Sequence, residues 1–157
     1  MKNNAIQTMR TYGVGPCSAP QFYGTFDAHM RTEANIASWL GTESSIIYSQ
    51  AFSTISSVIP SFCKRGDIIV VDQAVNYAIR KGLQASRSII RFYEHNNMED
   101  LERVLQKVVR DNSKKPLTRR FIVTEGLSET IGDSVDLPKL VSLNFQPQLF
   151  VSKSSGL

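Results

Sequence analysis

The chain has 157 residues, 41% of them hydrophobic and 20% charged, which is enough apolar sequence for one modest domain with its own core and argues against general disorder. The net charge of +4 comes from scattered basic pairs, not from a basic run interleaved with aromatics, so the composition does not favour nucleic-acid binding. The first ten residues lack the apolar core of a signal peptide, and no segment holds about 18 uninterrupted apolar residues, so no membrane-spanning helix is predicted.

The first part of the chain predicts a loop-rich segment followed by helices. The N-terminal residues are rich in glycine, proline and aromatic side chains, which indicates an ordered loop. Gly41 stops the first predicted helix, and Pro60 bends or ends the second. In chain order, the predicted elements are a loop over 1–30, a helix over 29–40, a strand over 45–48 and a helix over 49–63.

The rest of the chain predicts alternating strands and helices. The unbroken run 68–71 is β-branched, which is typical of a strand buried on both faces. Asn97 is a suitable N-cap for the clearest helix. The predicted elements are a turn over 64–67, strands over 68–71, 88–93, 121–124 and 148–151, and helices over 74–85, 97–111 and 136–143. This alternation requires parallel pairing with helical crossovers, so we expect an α/β fold: a largely parallel sheet with helices on both faces.

Ligands of such sheets bind at the carboxyl ends of the strands, and three of these ends carry polar or small residues. The segment 49–52 could present helix N–H groups to a phosphate, or Ser49 could simply cap the helix. Asp72 is either an N-cap or a ligand-binding carboxylate. Glu125 either orients a ligand or faces solvent.

The histidines and cysteines give no recognised catalytic or metal-binding motif. His29 and His95 are interpreted as hydrogen-bonded structural residues in loops, with catalysis as the less favoured alternative. Cys17 and Cys63 lie far apart without metal-ligand spacing, and indicate two reduced thiols or, less favoured, one disulfide. The residues alone therefore predict an α/β domain that could bind a phosphate.

Several short stretches, taken together in their order and spacing, resemble one family. They are YGVG (12–15), FYGTFDAH (22–29), KRGDIIVVD (64–72), GLQASRS (82–88), HNNMEDLE (95–102) and TEG (124–126). The chain from about 10 to 150 resembles the α-oxoamine synthases, fold-type I pyridoxal-phosphate enzymes that condense an amino acid with an acyl-CoA. The likeness is greatest to the serine palmitoyltransferase branch and to its non-catalytic first long-chain-base subunit. The resemblance implies part of the large domain of such a transferase.

The resemblance also implies roles for individual residues. It implies pyridoxal 5′-phosphate in the holoenzyme, near the family positions Ser49, Gln50, Ala51, Phe52, Asn76 and Glu125. Asn76 stands where catalytic members carry a histidine that stacks on the cofactor ring, and an asparagine has no aromatic face. Glu125 and the pair Gly132 and Asp133 match a substrate-side turn. A subunit interface is implied at Tyr12, Gly13, Gly15, Tyr23, Gly24, Asp27 and His29.

The end of the chain departs from the family. Ser152 stands where the family has the aspartate that pairs with the pyridine nitrogen, and Lys153 is not at the position of the Schiff-base lysine. The resemblance therefore implies an interface segment over 1–30, a partial large domain over 31–151 and a non-family tail over 152–157. We expect no catalysis by this chain alone.

The resemblance implies a heterodimer with the catalytic serine palmitoyltransferase subunit, which would supply the chemistry on serine and acyl-CoA. The full-length relative would lie at the endoplasmic reticulum membrane. Three alternatives remain open: a truncated interaction module that binds the catalytic subunit, a catalytic α-oxoamine synthase, and a fragment without function.

Overall fold

The computed structural model describes residues 1–113, 116 and 118–144, and it divides the chain into two compact units, Met1–Ser49 and Gln50–Leu157. The first unit contains two helices, α1 (Lys2–Tyr12) and α2 (Asp27–Leu40). The predicted loop over 1–30 is therefore wrong for α1, because the glycines and prolines that suggested it begin only at Gly13. As predicted, α2 stops at Gly41, which adopts the left-handed conformation with φ 68°.

The strand predicted over 45–48 is wrong: the structure has no strand there. The Ser45 hydroxyl donates to the Glu33 carbonyl oxygen at 2.7 Å, and the Ile47 N–H donates to Glu33 Oε1 at 3.1 Å. Hydrogen bonds with α2 thus hold this apolar segment. The Ile47 N–H, which a strand would pair with a neighbouring strand, is instead paired with Glu33.

The second unit begins with α3 and contains a three-stranded sheet, and its elements match the predictions to within a few residues at their ends. Pro60 lies inside α3, which ends two residues later at Phe62. The elements are α3 (Ala51–Phe62), β1 (Ile68–Asp72), α4 (Tyr77–Ser86), β2 (Ile89–Tyr93), α5 (Met98–Asp111), β3 (Arg120–Val123) and α6 (Leu137–Asn144). The predicted strand over 148–151 lies outside the described residues.

The sheet has the order β2-β1-β3, and both pairings are parallel. Every residue of β1 is buried, as its β-branched run predicts for a central strand. Alternate side chains of β1 point to opposite faces, so each face has its own core. Ile68 and Val70 pack with residues of α5 and α6, whereas Ile69 and Val71 pack with residues of α3 and α4. The predicted α/β fold with helices on both sheet faces is confirmed.

Local details of the second unit also follow from the sequence. The Asn97 side chain accepts hydrogen bonds from the N–H groups of Glu99 and Asp100, so it caps α5 as predicted. Cys17 is exposed and Cys63 is buried, and both are free thiols in the structure. Among the described residues, no helix is both long and apolar enough to cross a bilayer.

Candidate functional site

A cleft of about 520 Å³ lies in the second unit, beside the first turns of α3 and α4. α4 follows the carboxyl end of β1, the end at which parallel sheets of this class bind ligands. The residues that line the cleft are Ala51, Phe52, Ile55, Asn76, Tyr77, Ala78, Glu129 and Thr130. The cleft thus brings together three of the six residues predicted to be near the cofactor.

The N-terminus of α3 is suited to an anion. Its N-cap is Gln50, not Ser49, and no side chain of the described residues caps it. The first N–H groups of the helix therefore keep their hydrogen-bonding capacity, and the helix dipole favours negative charge at the same place. Ala51 and Phe52 lie in this first turn and line the cleft, whereas Ser49 ends the first unit.

Asn76 serves as the N-cap of α4. Its Oδ1 accepts a hydrogen bond from the Ile79 N–H at 2.9 Å, which satisfies one of the open donors of the helix. Asp72, the residue that the sequence offered as a cap, does not cap this helix. The aromatic walls of the cleft come instead from Phe52 and Tyr77, whose ring centroids lie 6.1 Å apart with an interplanar angle of 28°.

A cluster of charged residues that sequence reasoning missed lies at the carboxyl end of β1. His95 Nδ1 is 2.9 Å from Asp72 Oδ1, and His95 Nε2 is 2.9 Å from Asp133 Oδ1. The Asn96 N–H donates to Asp72 Oδ2 at 3.2 Å. The sequence displays each of these residues, but the contacts join positions far apart in the chain, which no local pattern reveals.

The geometry indicates an imidazolium at His95. Both ring nitrogens face carboxylate oxygens, and only the protonated ring can donate from both at once. The hydrogen bond with Asp72 and then that with Asp133 raise the pKa of His95 above its ordinary value of 6.5. The hydrogen bond from His95 in turn lowers the pKa of Asp133 below its ordinary 3.8. His95 therefore joins the carboxylates of Asp72 and Asp133, which agrees with its interpretation as a hydrogen-bonded structural residue.

Glu125 lies two residues beyond the end of β3 at Val123 and is half-buried. The segment after it forms a tight hairpin, in which the Ser128 N–H donates to the Asp133 carbonyl oxygen at 2.8 Å. Gly132 has φ 85°, which an L side chain rarely adopts. Gly132 and Asp133 therefore lie in the closing turn of this hairpin, and the hairpin tip contributes Glu129 and Thr130 to the cleft.

Three of the predicted interface residues come together within the first unit. The Tyr12 and Phe26 rings stack with centroids 4.6 Å apart, and Phe26 and His29 stack at 5.5 Å. A hydrogen bond with Asp27 raises the pKa of Tyr12 and lowers that of Asp27. The Phe26 N–H donates to His29 Nδ1 at 3.1 Å, so His29 has a structural role at the start of α2.

The remaining predicted interface residues lie in the turn between α1 and α2. Gly24 is buried, and a Cβ there would stand 2.1 Å from the Ser18 carbonyl oxygen, so only glycine fits. Gly13 has φ 79°, at the end of α1, and Gly15 is exposed. The Tyr23 side chain is 83% exposed and packs edge-on against Phe22.

Comparisons with known proteins place these features in a family. The family model for aminotransferase class I and II matches residues 3–150. Long chain base biosynthesis protein 1c from Oryza sativa subsp. japonica is 43% identical over 141 residues, which are 90% of this chain and 29% of that protein. Serine palmitoyltransferase 1 from Dictyostelium discoideum is 43% identical over 146 residues, which are 93% of this chain and 30% of that protein.

The fold has counterparts among solved structures. A serine palmitoyltransferase from S. paucimobilis, solved with a bound PLP–myriocin aldimine, matches with a TM-score of 0.77 at 23% identity, over 90% of this chain and 35% of that one. The chain spans less than a third of the length of the curated relatives reported above. Since the family model covers nearly the whole sequence, this chain belongs to the class I and II aminotransferase family.

Proposed function

We propose that this chain is part of a non-catalytic subunit of serine palmitoyltransferase. The full protein would support the condensation of L-serine with palmitoyl-CoA, the first step of sphingolipid synthesis, in a heterodimer with a catalytic subunit at the endoplasmic reticulum membrane. The names and identities of the relatives support this proposal. Residues 31–151 would then be part of the large domain, and residues 1–30 part of the interface between subunits.

The observation that carries the non-catalytic assignment is the capping role of the Asn76 side chain. Its carboxamide oxygen is engaged in capping α4, and an amide offers no flat aromatic face to a cofactor ring. The cleft around it keeps an uncapped helix N-terminus at Ala51 and Phe52, which is compatible with a phosphate. The residues present therefore fit the phosphate of pyridoxal phosphate but not the stacking of its ring at position 76.

We infer that the holoenzyme holds the cofactor covalently through its catalytic subunit and not through this chain. Such cofactors need a carboxylate at the ring nitrogen and a lysine amine as the covalent partner. By the family resemblance, Ser152 stands at the carboxylate position and Lys153 is not at the lysine position; both lie outside the described residues. This chain would contribute surface, positioning and an anion site.

The exposed aromatics of the first unit favour a second function, an interaction module for the catalytic subunit. Tyr23 and Trp39 are each 83% exposed, and Phe22 is 76% exposed. Aromatic residues are enriched in protein–protein interfaces, where they supply much of the binding energy. Under this alternative the chain would bind the catalytic subunit without supporting its activity.

Co-expression with a catalytic serine palmitoyltransferase subunit tests both functions. We expect the chain to co-purify with that subunit, and Tyr23→Ala to reduce the recovered complex. Phe92→Ala is the matched control, since Phe92 is an exposed aromatic of β2, in the second unit. Support of serine–palmitoyl-CoA condensation by the complex favours the subunit function, whereas binding without activity favours the interaction module.

The catalytic alternative is tested on the chain alone. We expect no condensation product and no pyridoxal phosphate fixed to a lysine by borohydride, read by intact mass. A borohydride-stable adduct on a lysine of this chain would contradict the non-catalytic assignment. Activity gained by Asn76→His alone would contradict it as well, because an aromatic side chain at position 76 would then be the only feature that the chain lacks for catalysis.

A further inference from the structure

The hairpin formed by residues 126–135 carries one wall of the cleft. Its two arms are joined by a bridge between Leu127 and Ser134, and its tip contributes Glu129 and Thr130 to the cleft. The bridge consists of two backbone bonds, from the Ser128 N–H to Asp133 and from the Val135 N–H to Gly126, and one further bond, from the Gly132 N–H to Ser128, closes the tip. A two-stranded hairpin is at best marginally stable in water by itself, so this one needs outside contacts.

Those contacts differ between the base and the tip of the hairpin. At the base, Val135 packs against the core that β1 shares with α5 and α6. Between that base and the tip, at Asp133 and Ser134, the ties come from the loop between β2 and α5. His95 Nε2 lies 2.9 Å from Asp133 Oδ1, and Asn96 Nδ2 donates to Asp133 Oδ2 at 3.1 Å and to the Ser134 carbonyl oxygen at 3.2 Å.

The loop that holds the hairpin is itself fixed to the central strand. Asp72, the last residue of β1, is buried and accepts hydrogen bonds from His95 Nδ1 and from the Asn96 N–H. Its Oδ1 also accepts from the Ala74 N–H at 2.7 Å. The imidazole ring of His95 therefore connects the end of the central strand to the hairpin beside the cleft, in parallel with the hydrogen bonds of Asn96.

We propose that His95 is a positioning residue whose protonated ring latches the 126–135 hairpin to the end of β1 and thereby holds Glu129 and Thr130 at the cleft. The neutral ring has one N–H and one lone pair, so it can serve only one of its two carboxylates. Loss of the proton turns the other contact into a repulsion between a lone pair and a carboxylate. The hairpin then keeps the two Asn96 bonds and the packing of Val135, and its tip is held less firmly at the cleft. The latch follows from the geometry alone and does not depend on which subunit the chain represents.

The charges around the ring set the pH range of the latch. Asp72 faces it from β1 and Asp133 from the hairpin, while neighbouring Glu94 accepts a hydrogen bond from Asn97. The pKa of His95 is raised, so its contribution is complete below the ordinary 6.5 and is lost as the pH rises through the raised value. The pKa of Asp133 is lowered, so its contribution is complete above 3.8 and is lost as the pH falls through the lowered value.

Amide hydrogen exchange by NMR on the complete chain tests the latch. Protection factors, corrected for intrinsic exchange, are compared for Ser128 and Gly132 in the hairpin and for Ile69 in β1. At pH 6, we expect His95→Gln to lower hairpin protection about fivefold, the effect of losing about one net hydrogen bond, and to leave Ile69 unchanged. His29→Gln makes the same chemical change outside the latch and should leave the hairpin unchanged.

The unsubstituted protein gives a test that does not depend on a variant folding. Ring ¹⁵N shifts follow the protonation of His95 directly, and hairpin protection should fall over the same pH interval in which that ring deprotonates. Asp133→Asn should remove this pH dependence, while Asp136→Asn, just beyond the hairpin, should keep it. Hairpin protection that stays constant while His95 titrates would overturn the proposal, even if His95→Gln loosened the tip, because the latch would then depend on shape and not on the proton.

Discussion

Gly82→Ala is expected to destabilise the chain, although alanine is the better helix former. Gly82 lies buried within α4, where this helix crosses α3. A Cβ at this position would lie 3.2 Å from the Ile55 carbonyl oxygen, 3.2 Å from Ile59 Cβ and 3.0 Å from Ile59 Cδ1. The Ile59 methyl can rotate away, but the Ile55 oxygen belongs to the backbone of α3, so the helices must separate. The same two helices carry Phe52 and Tyr77, whose rings stack in the cleft.

The sign of the effect depends on two opposing terms. Replacing glycine by alanine inside a helix gains about 1 kcal/mol of propensity. Forcing a methyl group into a filled crossing costs about 1–3 kcal/mol. Since one of the close atoms is backbone, we take about 2 kcal/mol for the second term and expect a net loss of about 1 kcal/mol. Gly82→Val adds two more methyl groups and should lose more.

Urea unfolding followed by circular dichroism measures this difference. With a slope of about 2 kcal/mol per molar, the loss corresponds to a midpoint about 0.5 M lower. Gln84→Gly, at an exposed position of the same helix, calibrates propensity and should cost about 1 kcal/mol without steric change. If Gly82→Ala instead raised the free energy of unfolding by about the amount that Gln84→Gly lowers it, the crossing of α3 and α4 would have room for the methyl group. The steric reasoning would then be wrong.

Three further predictions test local features. Asn97→Ala removes both capping bonds of α5 and should cost about 1 kcal/mol in urea unfolding; an unchanged midpoint would show that the cap contributes nothing. Gly24→Ala drives a methyl group into the Ser18 carbonyl, so limited proteolysis should cut the 13–26 turn faster than in the parent chain. Asp67 has its pKa lowered first by the Lys64 N–H and then by Arg119, so its stabilisation is present above pH 3.8 and is lost on further acidification. Asp67→Asn should therefore flatten the acid limb of a stability–pH curve, and an unaltered limb would contradict this.

The sequence was most informative where burial and local chemistry agree. The β-branched run of β1 could be predicted as a doubly covered central strand, because only such a strand tolerates five consecutive buried residues. The cap at Asn97 was equally readable, since its partners are its immediate neighbours in the chain. These features depend on spacing along the chain, which is what a sequence displays.

The failures lie where the outcome depends on distant contacts. Residues 45–48 have the composition of a strand, but Glu33 of α2 supplies the hydrogen bonds that hold them. The Asp72–His95–Asp133 link joins three separate segments, so no local pattern could reveal it. The roles assigned to Ser49, Glu125 and the interface residues rest on the family resemblance and stay predictions.

The sheet order has a consequence for the order in which the second unit assembles during synthesis. Ile68 of β1 pairs with Ile89 on one side and with Arg120 on the other. Once the ribosome has released the chain through β2, α3 and α4 can already cover the face that bears Ile69 and Val71. The opposite face, with Ile68 and Val70, stays open until α5 emerges, because its apolar partners belong to α5 and α6. A nascent chain paused between β2 and α5 would thus have one face of the sheet covered by helices, and the other apolar face would be available to chaperones.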